Sequence, residues 1–162
     1  MRARDFLKEL KIDNVKGWGA VPFNQDVDYF GLRVLMKPSI FLQLADAIYS
    51  GHEKGVDKIV QHLQSGGSVG APFLQIEYSS HWEDGDFSAP AHVYGHEGRH
   101  RMIATQKLEG DAPVEVHLLF SGGVRSRDLT PEIIKALNTR IVPQGANRRH
   151  VVLKGPFFEV VR

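Results

Sequence analysis

The sequence predicts a single domain of mixed α and β structure. Its 162 residues fit one domain of ordinary size. A hydrophobic fraction of 42% and a charged fraction of 24% are typical of globular proteins. Apolar residues with helical spacing alternate along the chain with short runs that favour strands, and we find neither an internal repeat nor a domain boundary.

The first half of the chain predicts three helices and two strands. A short helix is expected over Ala3–Leu10, where apolar residues recur three and four positions apart. A strand is expected over Phe30–Met36. A helix then starts near Pro38, because proline is tolerated in a first turn, and ends at Gly51. The spacing over Val56–Leu63 predicts a third helix, and a buried strand follows near residues 73–78.

The next segments predict a strand, a turn and a helix in close succession. A polar loop spans residues 79–91, and a short strand covers His92–Tyr94. Gly95 is expected to make a tight turn, and a helix then runs from about Gly98 to Leu108. Alternating apolar residues predict a further strand over Val114–Phe120.

The C-terminal part of the chain predicts one helix and a hairpin. Thr130 and Pro131 have the residue types expected at the cap and first position of a helix. Residues 151–161 resemble two short strands around a turn at Lys154-Gly155-Pro156. Because proline cannot donate a ladder hydrogen bond, we expect this hairpin at a sheet edge.

Composition excludes several classes of function. The absence of cysteine rules out disulfides, thiol nucleophiles and thiolate metal sites. A formal net charge of +1 gives no general attraction to nucleic acid or acidic membranes. The N-terminal residues lead into an amphipathic segment, and no apolar run approaches the ~20 residues that span a bilayer. We therefore expect a cytoplasmic protein with no membrane partner.

The segment His96–Arg101 carries the most chemistry, and its first interpretation is a zinc site. His96-Glu97-x-x-His100 matches the two-ligand pattern of zinc peptidases, in which the glutamate acts as base. That pattern requires one helix through both histidines. Gly95 and the preceding strand-forming residues oppose such a helix, and a third ligand is not evident.

The second interpretation of the same segment is a phosphate-binding helix start. If the helix opens at Gly98, its free N–H groups and positive dipole end point at the turn. Glycine lets an anion approach the backbone, and Arg99, His100 and Arg101 add donors. Glu97 is then a candidate base or Mg²⁺ contact, and His96 a secondary acid–base candidate. A solvated, positively charged helix end with no ligand is the remaining possibility.

The segment Gly98–Ala104, followed by Leu108, Gly110 and the strand Val114–Phe120, resembles the core of the ParB/sulfiredoxin superfamily. Members of that family carry a Gly-x-His-Arg or Gly-x-Arg-Arg box that binds nucleotide phosphates. The resemblance implies a ParB/sulfiredoxin-like fold in which Gly98, Arg99, His100 and Arg101 bind the nucleotide. Free-serine kinases of the group place an acidic residue directly before the glycine, where this chain has Glu97.

The resemblance also limits the reactions that we expect this chain to catalyse. Sulfiredoxins have a cysteine at the position of Arg99, so their redox repair chemistry is excluded here. We expect phosphoryl or nucleotidyl transfer from ATP, or another nucleotide with Mg²⁺, to an unknown acceptor. A nucleotide- or DNA-binding module without turnover, or a nuclease-like relative, is the alternative, and the zinc hydrolase is the second.

Two further groups of residues are candidates for nucleic-acid contacts. Arg148 and Arg149 form the best basic patch outside the central motif, although exposed solubilising charge is the more ordinary explanation. Trp18 and Trp82 have side chains able to stack on a base, but we expect packing roles for both.

Overall fold

The described part of the chain folds as helices on a seven-stranded mixed sheet. The computed structural model describes residues 30–45, 53–67, 70–120, 129–145, 148 and 150–161. Its α-helices are α1 (Pro38–Leu44), α2 (Glu53–Gln64), α3 (Arg99–Glu109) and α4 (Pro131–Leu137). Its strands are β1 (Phe30–Met36), β2 (Phe73–Glu77), β3 (Ala91–Glu97), β4 (Val114–Phe120), β5 (Arg140–Val142), β6 (Leu153–Lys154) and β7 (Phe158–Val160). The predicted mixed α/β class is confirmed.

The strand order is β6-β5-β3-β2-β4-β1-β7. The pairs β2–β4 and β3–β5 are parallel, whereas β1–β4, β2–β3, β1–β7 and β5–β6 are antiparallel. The longest pairing joins β1 to β4 over the full length of both strands, from Phe30↔Phe120 to Met36↔Val114. This pairing and the neighbouring β2 form the centre of the sheet.

One face of the sheet packs against the main apolar core. In β1 the alternate residues Leu32, Val34 and Met36 are buried, whereas Leu35 on the opposite face is 38% exposed. Helices α1, α3 and α4 all contribute to this core, which includes Phe41, Leu44, Met102, Ile133 and Leu137. Helix α2 lies outside it and packs on α3 through Val56, Ile59 and Ala104.

Helix α1 begins as predicted and ends earlier than predicted. Pro38 is its first residue, but the helix stops at Leu44, and Ala45 is extended with ψ 169°. The backbone N–H of Gln144 donates to the carbonyl of Leu44 (2.9 Å), and Nη1 of Arg148 donates to that of Ala45 (2.9 Å). The C-terminal segment thus takes the carbonyls that a longer helix would use.

The predicted C-terminal hairpin is wrong. Strands β6 and β7 lie at opposite ends of the sheet, with β6 on β5 and β7 on β1. The connection between them is held to the end of α4, because Gly155 N–H donates to Thr139 O (2.7 Å) and the Asn138 side chain accepts from Phe157 N–H (2.6 Å). The expectation of an edge position holds for both strands.

Several of the remaining predictions are confirmed, and others fall outside the described residues. Helix α2 and the strands β1 and β4 lie where the spacing predicts them, and the Thr130 hydroxyl accepts from Ile133 N–H (3.2 Å) at the start of α4. The polar loop after β2 contains a short 3-10 helix, Ser80–Asp84. The helix predicted over residues 3–10, Trp18 and Arg149 lie outside the described residues. No helix within the described residues is long and apolar enough to span a bilayer.

Candidate functional site

The junction between β3 and α3 is a single glycine. Strand β3 continues through Glu97, Gly98 is left-handed with φ 100° and ψ 19°, and α3 starts at Arg99. The prediction that the strand ends at Tyr94 and turns at Gly95 is therefore wrong. The predicted helix start at Gly98 agrees with its position as the N-cap.

Pairing with β2 explains the longer strand. The register shifts between Gln75 and Ile76, so Val93 faces Ile76 while Gly95 faces Gln75. A Cβ at Gly95 would lie 2.0 Å from Oε1 of Gln75. The glycine that suggested a turn in fact makes room for a neighbouring side chain, and the strand runs on to Glu97 opposite Phe73.

Gly98 is required both by its backbone and by its surroundings. Its φ of +100° is costly for any residue with a Cβ. A Cβ there would also lie 2.7 Å from Cβ of Pro72 and 2.9 Å from Nη2 of Arg101. The Arg101 guanidinium therefore lies directly against the Gly98 backbone.

Arg101 is buried with only part of its hydrogen-bonding capacity used. The residue is 2% exposed, and Nη1 donates to the carbonyl of Gly70 (2.8 Å). Nε and Nη2 are buried and have no hydrogen-bond partner among the described residues. Burial lowers the pKa of Arg101, and the charge of Glu97 opposes that shift. A buried donor without a partner costs about 1–3 kcal/mol, and more when it is charged.

The first turn of α3 concentrates positive charge. This helix of 11 residues has no side-chain cap and no acidic residue in its first turn. Arg99 and Arg101 instead occupy that turn, at the positive end of the helix dipole. Both the dipole and the two guanidinium groups are stabilised by an anion in this position.

The six predicted site residues do not converge on one point. Glu97, Gly98 and Arg101 lie together at the junction, with Arg99 beside them at the first helical position. His96 extends to the opposite side of the strand from Glu97, because successive side chains alternate, and its Nδ1 lies 2.6 Å from Oε1 of Gln144. The ring of His100 packs on α2, where a Cβ at Gly55 would lie 3.4 Å from Nδ1.

The helix that a zinc peptidase needs through both histidines is not formed. His96 is in β3 and His100 in α3, with the left-handed Gly98 between them. Within the described ranges no three histidine, aspartate or glutamate side chains form a group that could hold a metal ion.

Sequence reasoning missed a second polar cluster, formed by Arg33, Glu115 and His117. One oxygen of the Glu115 carboxylate accepts from Nε of Arg33 (3.0 Å) and from Nη2, and the other lies 3.0 Å from Nε2 of His117. The signal for it was the appearance of two polar residues, two positions apart, inside the apolar strand β4.

The remaining candidates have packing roles in this structure. Arg148 donates to the carbonyls of Gln43, Ala45 and Gln144, so its guanidinium joins the C-terminal segment to the end of α1. Trp82 is 2% exposed, stacks on Tyr78 at 4.9 Å, and donates from Nε1 to a backbone carbonyl. Its ring is therefore part of the core, as expected, and is not open for stacking on a base.

No family model, curated protein or solved structure matches this chain.

Proposed function

We propose that this chain binds the phosphate groups of a nucleotide at the start of α3, in the manner of ParB/sulfiredoxin-like proteins, and transfers a phosphoryl or nucleotidyl group to an acceptor. The observation that carries the proposal is the buried guanidinium of Arg101, which lies against Gly98 with Nε and Nη2 unpartnered among the described residues. ATP, or another nucleoside triphosphate with Mg²⁺, is the proposed donor.

The two unpartnered nitrogens of Arg101 suit a phosphate in particular. Nε and Nη2 lie on the same edge of the planar guanidinium, so their N–H groups form one fork that grips two oxygens of a phosphate at once. Binding an anion there supplies the missing hydrogen bonds and offsets the cationic first turn of α3. A neutral ligand would supply the hydrogen bonds but would not offset the positive charge.

Glu97 has two possible roles at this position. Its charge interacts with Arg101, so the carboxylate lies near the proposed phosphates. There it can contact Mg²⁺, which prefers carboxylate and phosphate oxygens, or accept a proton from the acceptor. Positioning and charge neutralisation supply most of the catalysis in phosphoryl transfer, so few protein groups are needed.

A binding module without turnover is the alternative that the same contacts allow. The interaction of Glu97 with Arg101 favours it, because the carboxylate then serves as a counterion to the buried cation. Turnover by the unsubstituted protein distinguishes the two, and the Glu97→Gln variant then tests whether Glu97 takes part in that turnover. In a transferase that uses Glu97 the variant loses turnover and retains nucleotide binding, whereas a binding module retains binding and has no turnover to lose.

The first experiment is a thermal-shift panel with ATP, CTP and GTP, each with Mg²⁺, and separately with EDTA and Zn²⁺. At 100 times the dissociation constant, a specific nucleotide adds about 2.7 kcal/mol, which for a chain of this size raises Tm by about 5–10 °C. We expect this shift with at least one nucleotide and none with EDTA.

Two variants on the same helix make the result specific. Arg101→Met removes the buried cation and should abolish the nucleotide shift. Lys107→Met removes an exposed cation from the last turn of α3 and should leave it intact. A shift that survives in Arg101→Met contradicts the proposal, as does a Tm that falls with EDTA and is restored by Zn²⁺ alone.

A further inference from the structure

The cluster of Arg33, Glu115 and His117 has a defined arrangement of protons. The pKa of Glu115 is raised by burial, but hydrogen bonds from Arg33 and His117 outweigh that effect and lower it overall. The carboxylate is therefore ionised and can only accept hydrogen bonds. Its oxygen lies 3.0 Å from Nε2 of His117, so Nε2 carries the proton of the neutral ring.

The other ring nitrogen of His117 is a buried base without a partner. His117 is 7% exposed, and its Nδ1 is buried and has no hydrogen bond to any described residue. Burial also lowers the pKa of His117, against the opposing effect of Glu115, so the neutral ring is favoured. A carboxylate that orients one nitrogen while the other presents its lone pair is the arrangement of a general base.

This base lies on the same sheet face as Glu97. The register places Glu97 opposite Phe73 in β2, Phe73 opposite His117 in β4, and His117 opposite Arg33 in β1. Since neighbouring strands are about 4.8 Å apart, the Cα atoms of Glu97 and His117 are separated by roughly 10 Å.

Pro72 connects the cluster to the start of α3. Its carbonyl accepts from the backbone N–H of His117 (2.9 Å), and its Cβ is the atom that a Cβ on Gly98 would meet at 2.7 Å. One residue therefore separates the backbone of His117 from the glycine that adjoins the Arg101 guanidinium.

We propose that His117 is the general base for the acceptor, and that the acceptor is an alcohol whose hydroxyl donates to Nδ1. This inference rests on the proposed function and names the second substrate's reactive group. The acceptor O–H proton passes to Nδ1 while the oxygen forms a bond to the terminal phosphorus. The bond from that phosphorus to the bridging oxygen breaks, and the nucleoside diphosphate leaves with the electron pair. The proton on Nδ1 is then released to water.

The roles of the other polar residues follow. Glu115 holds the Nε2–H tautomer and stabilises the imidazolium that forms, and Arg33 keeps the carboxylate in place. Both are positioning residues. Glu97, which lies near the proposed phosphates, is left to contact Mg²⁺ or Arg101 and does not take the proton.

The test is single-turnover transfer from the nucleotide identified by thermal shift, with water alone, glycerol and ribose as acceptors. We expect His117→Gln to bind the nucleotide within twofold of the unsubstituted protein and to lose at least 100-fold in transfer rate. The matched control His92→Gln changes an exposed histidine of β3 and should leave both quantities unchanged.

The failures of the two proposals are distinguishable. A protein that binds no nucleotide refutes the proposed function and this inference with it. A protein that binds nucleotide, while His117→Gln transfers at the unsubstituted rate, refutes the inference alone. Binding without any product from water, glycerol or ribose refutes the inference and favours the binding module over the transferase.

A second measurement covers the case in which His117→Gln does not fold. The ¹⁵N chemical shifts of the histidine rings in the unsubstituted protein report the tautomer of His117 directly. We expect a protonated Nε2 and a bare Nδ1 at pH 7. A protonated Nδ1 or an imidazolium at that pH overturns the proposal, because the lone pair is then not available.

Discussion

At the start of α3, the guanidinium of Arg101 occupies the space that a side chain on Gly98 would need. A Cβ on Gly98 would lie 2.9 Å from Nη2 of Arg101, so the guanidinium can lie against the backbone only because that residue is glycine. The helical spacing of three residues brings both to the same turn. This relationship joins a backbone requirement to the one buried arginine of the described core.

The Gly98→Ala variant should be markedly less stable than the unsubstituted protein. It incurs the left-handed backbone strain of about 1–2 kcal/mol and the overlap with Pro72 and Arg101, which adds about 1–3 kcal/mol. Urea unfolding measures the difference. Gly85→Ala is the matched control, because Gly85 has a similar φ of +85° and nothing within 4 Å of its Cβ position. Equal losses in the two variants would show that the contact with Arg101 carries no cost.

The Arg101→Met variant should be as stable as the unsubstituted protein, or more stable, without ligand. A buried charge with incomplete hydrogen bonding is often replaced by an apolar residue at no cost, or with a gain of about 1–4 kcal/mol. Urea unfolding without and with the identified nucleotide separates stability from binding. A loss of about 3 kcal/mol or more without ligand would instead identify Arg101 as a structural anchor for Gly70.

The stability of the fold should fall as the pH drops below about 6.5, because of the buried His117. Its pKa is lowered from 6.5 by burial, so the unfolded chain binds this proton more tightly than the folded one. The stabilisation is fully present above pH 6.5 and is lost as the pH falls toward the lower folded pKa. One such proton contributes a slope of at most about 1.4 kcal/mol per pH unit.

Urea unfolding at several pH values checks this expectation. The His117→Gln variant should lose the part of the pH dependence of the unfolding free energy that comes from this one proton. The His92→Gln variant, which changes an exposed residue, should show the pH dependence of the unsubstituted protein. Glu115 acts in a separate window, because its lowered pKa makes its stabilisation disappear only as the pH falls below 4.5. An unchanged slope in His117→Gln would contradict the burial argument.

The free energy of unfolding of the Asn138→Ala variant should be about 2–4 kcal/mol lower than that of the unsubstituted protein, because three partly buried hydrogen bonds disappear at once. The Asn138 side chain accepts from Phe157 N–H (2.6 Å) and Phe158 N–H (3.0 Å) and donates to Phe158 O (2.8 Å). Thr139→Ala, which removes an exposed bond to Lys135 O, should stay within about 0.5 kcal/mol. Comparable losses for the two would mean that β7 does not depend on Asn138.

Local signals in the sequence were sufficient for the elements whose causes are local. Proline at the start of α1, the Thr130 cap of α4 and the apolar spacing of α2 act within one or two turns of chain. The helix start at Gly98 belongs to the same group, because the glycine and the cationic residues that follow it are adjacent in the sequence.

The tertiary structure decided whatever depended on partners distant in the chain. Strand β3 extends to Glu97 because β2 pairs with it, α1 ends at Leu44 because the C-terminal segment takes its carbonyls, and Asn138 helps to separate β6 from β7. The features of the candidate site divide in the same way, into those with local causes and those that depend on distant partners. By itself the sequence determined the mixed α/β class and the cationic helix start at Gly98. Only the fold decided that Arg101 is buried, that His96 contacts Gln144, and that Arg33 binds Glu115, which is 82 residues away in the chain. Contacts between distant residues arise from packing and leave no local pattern in the sequence.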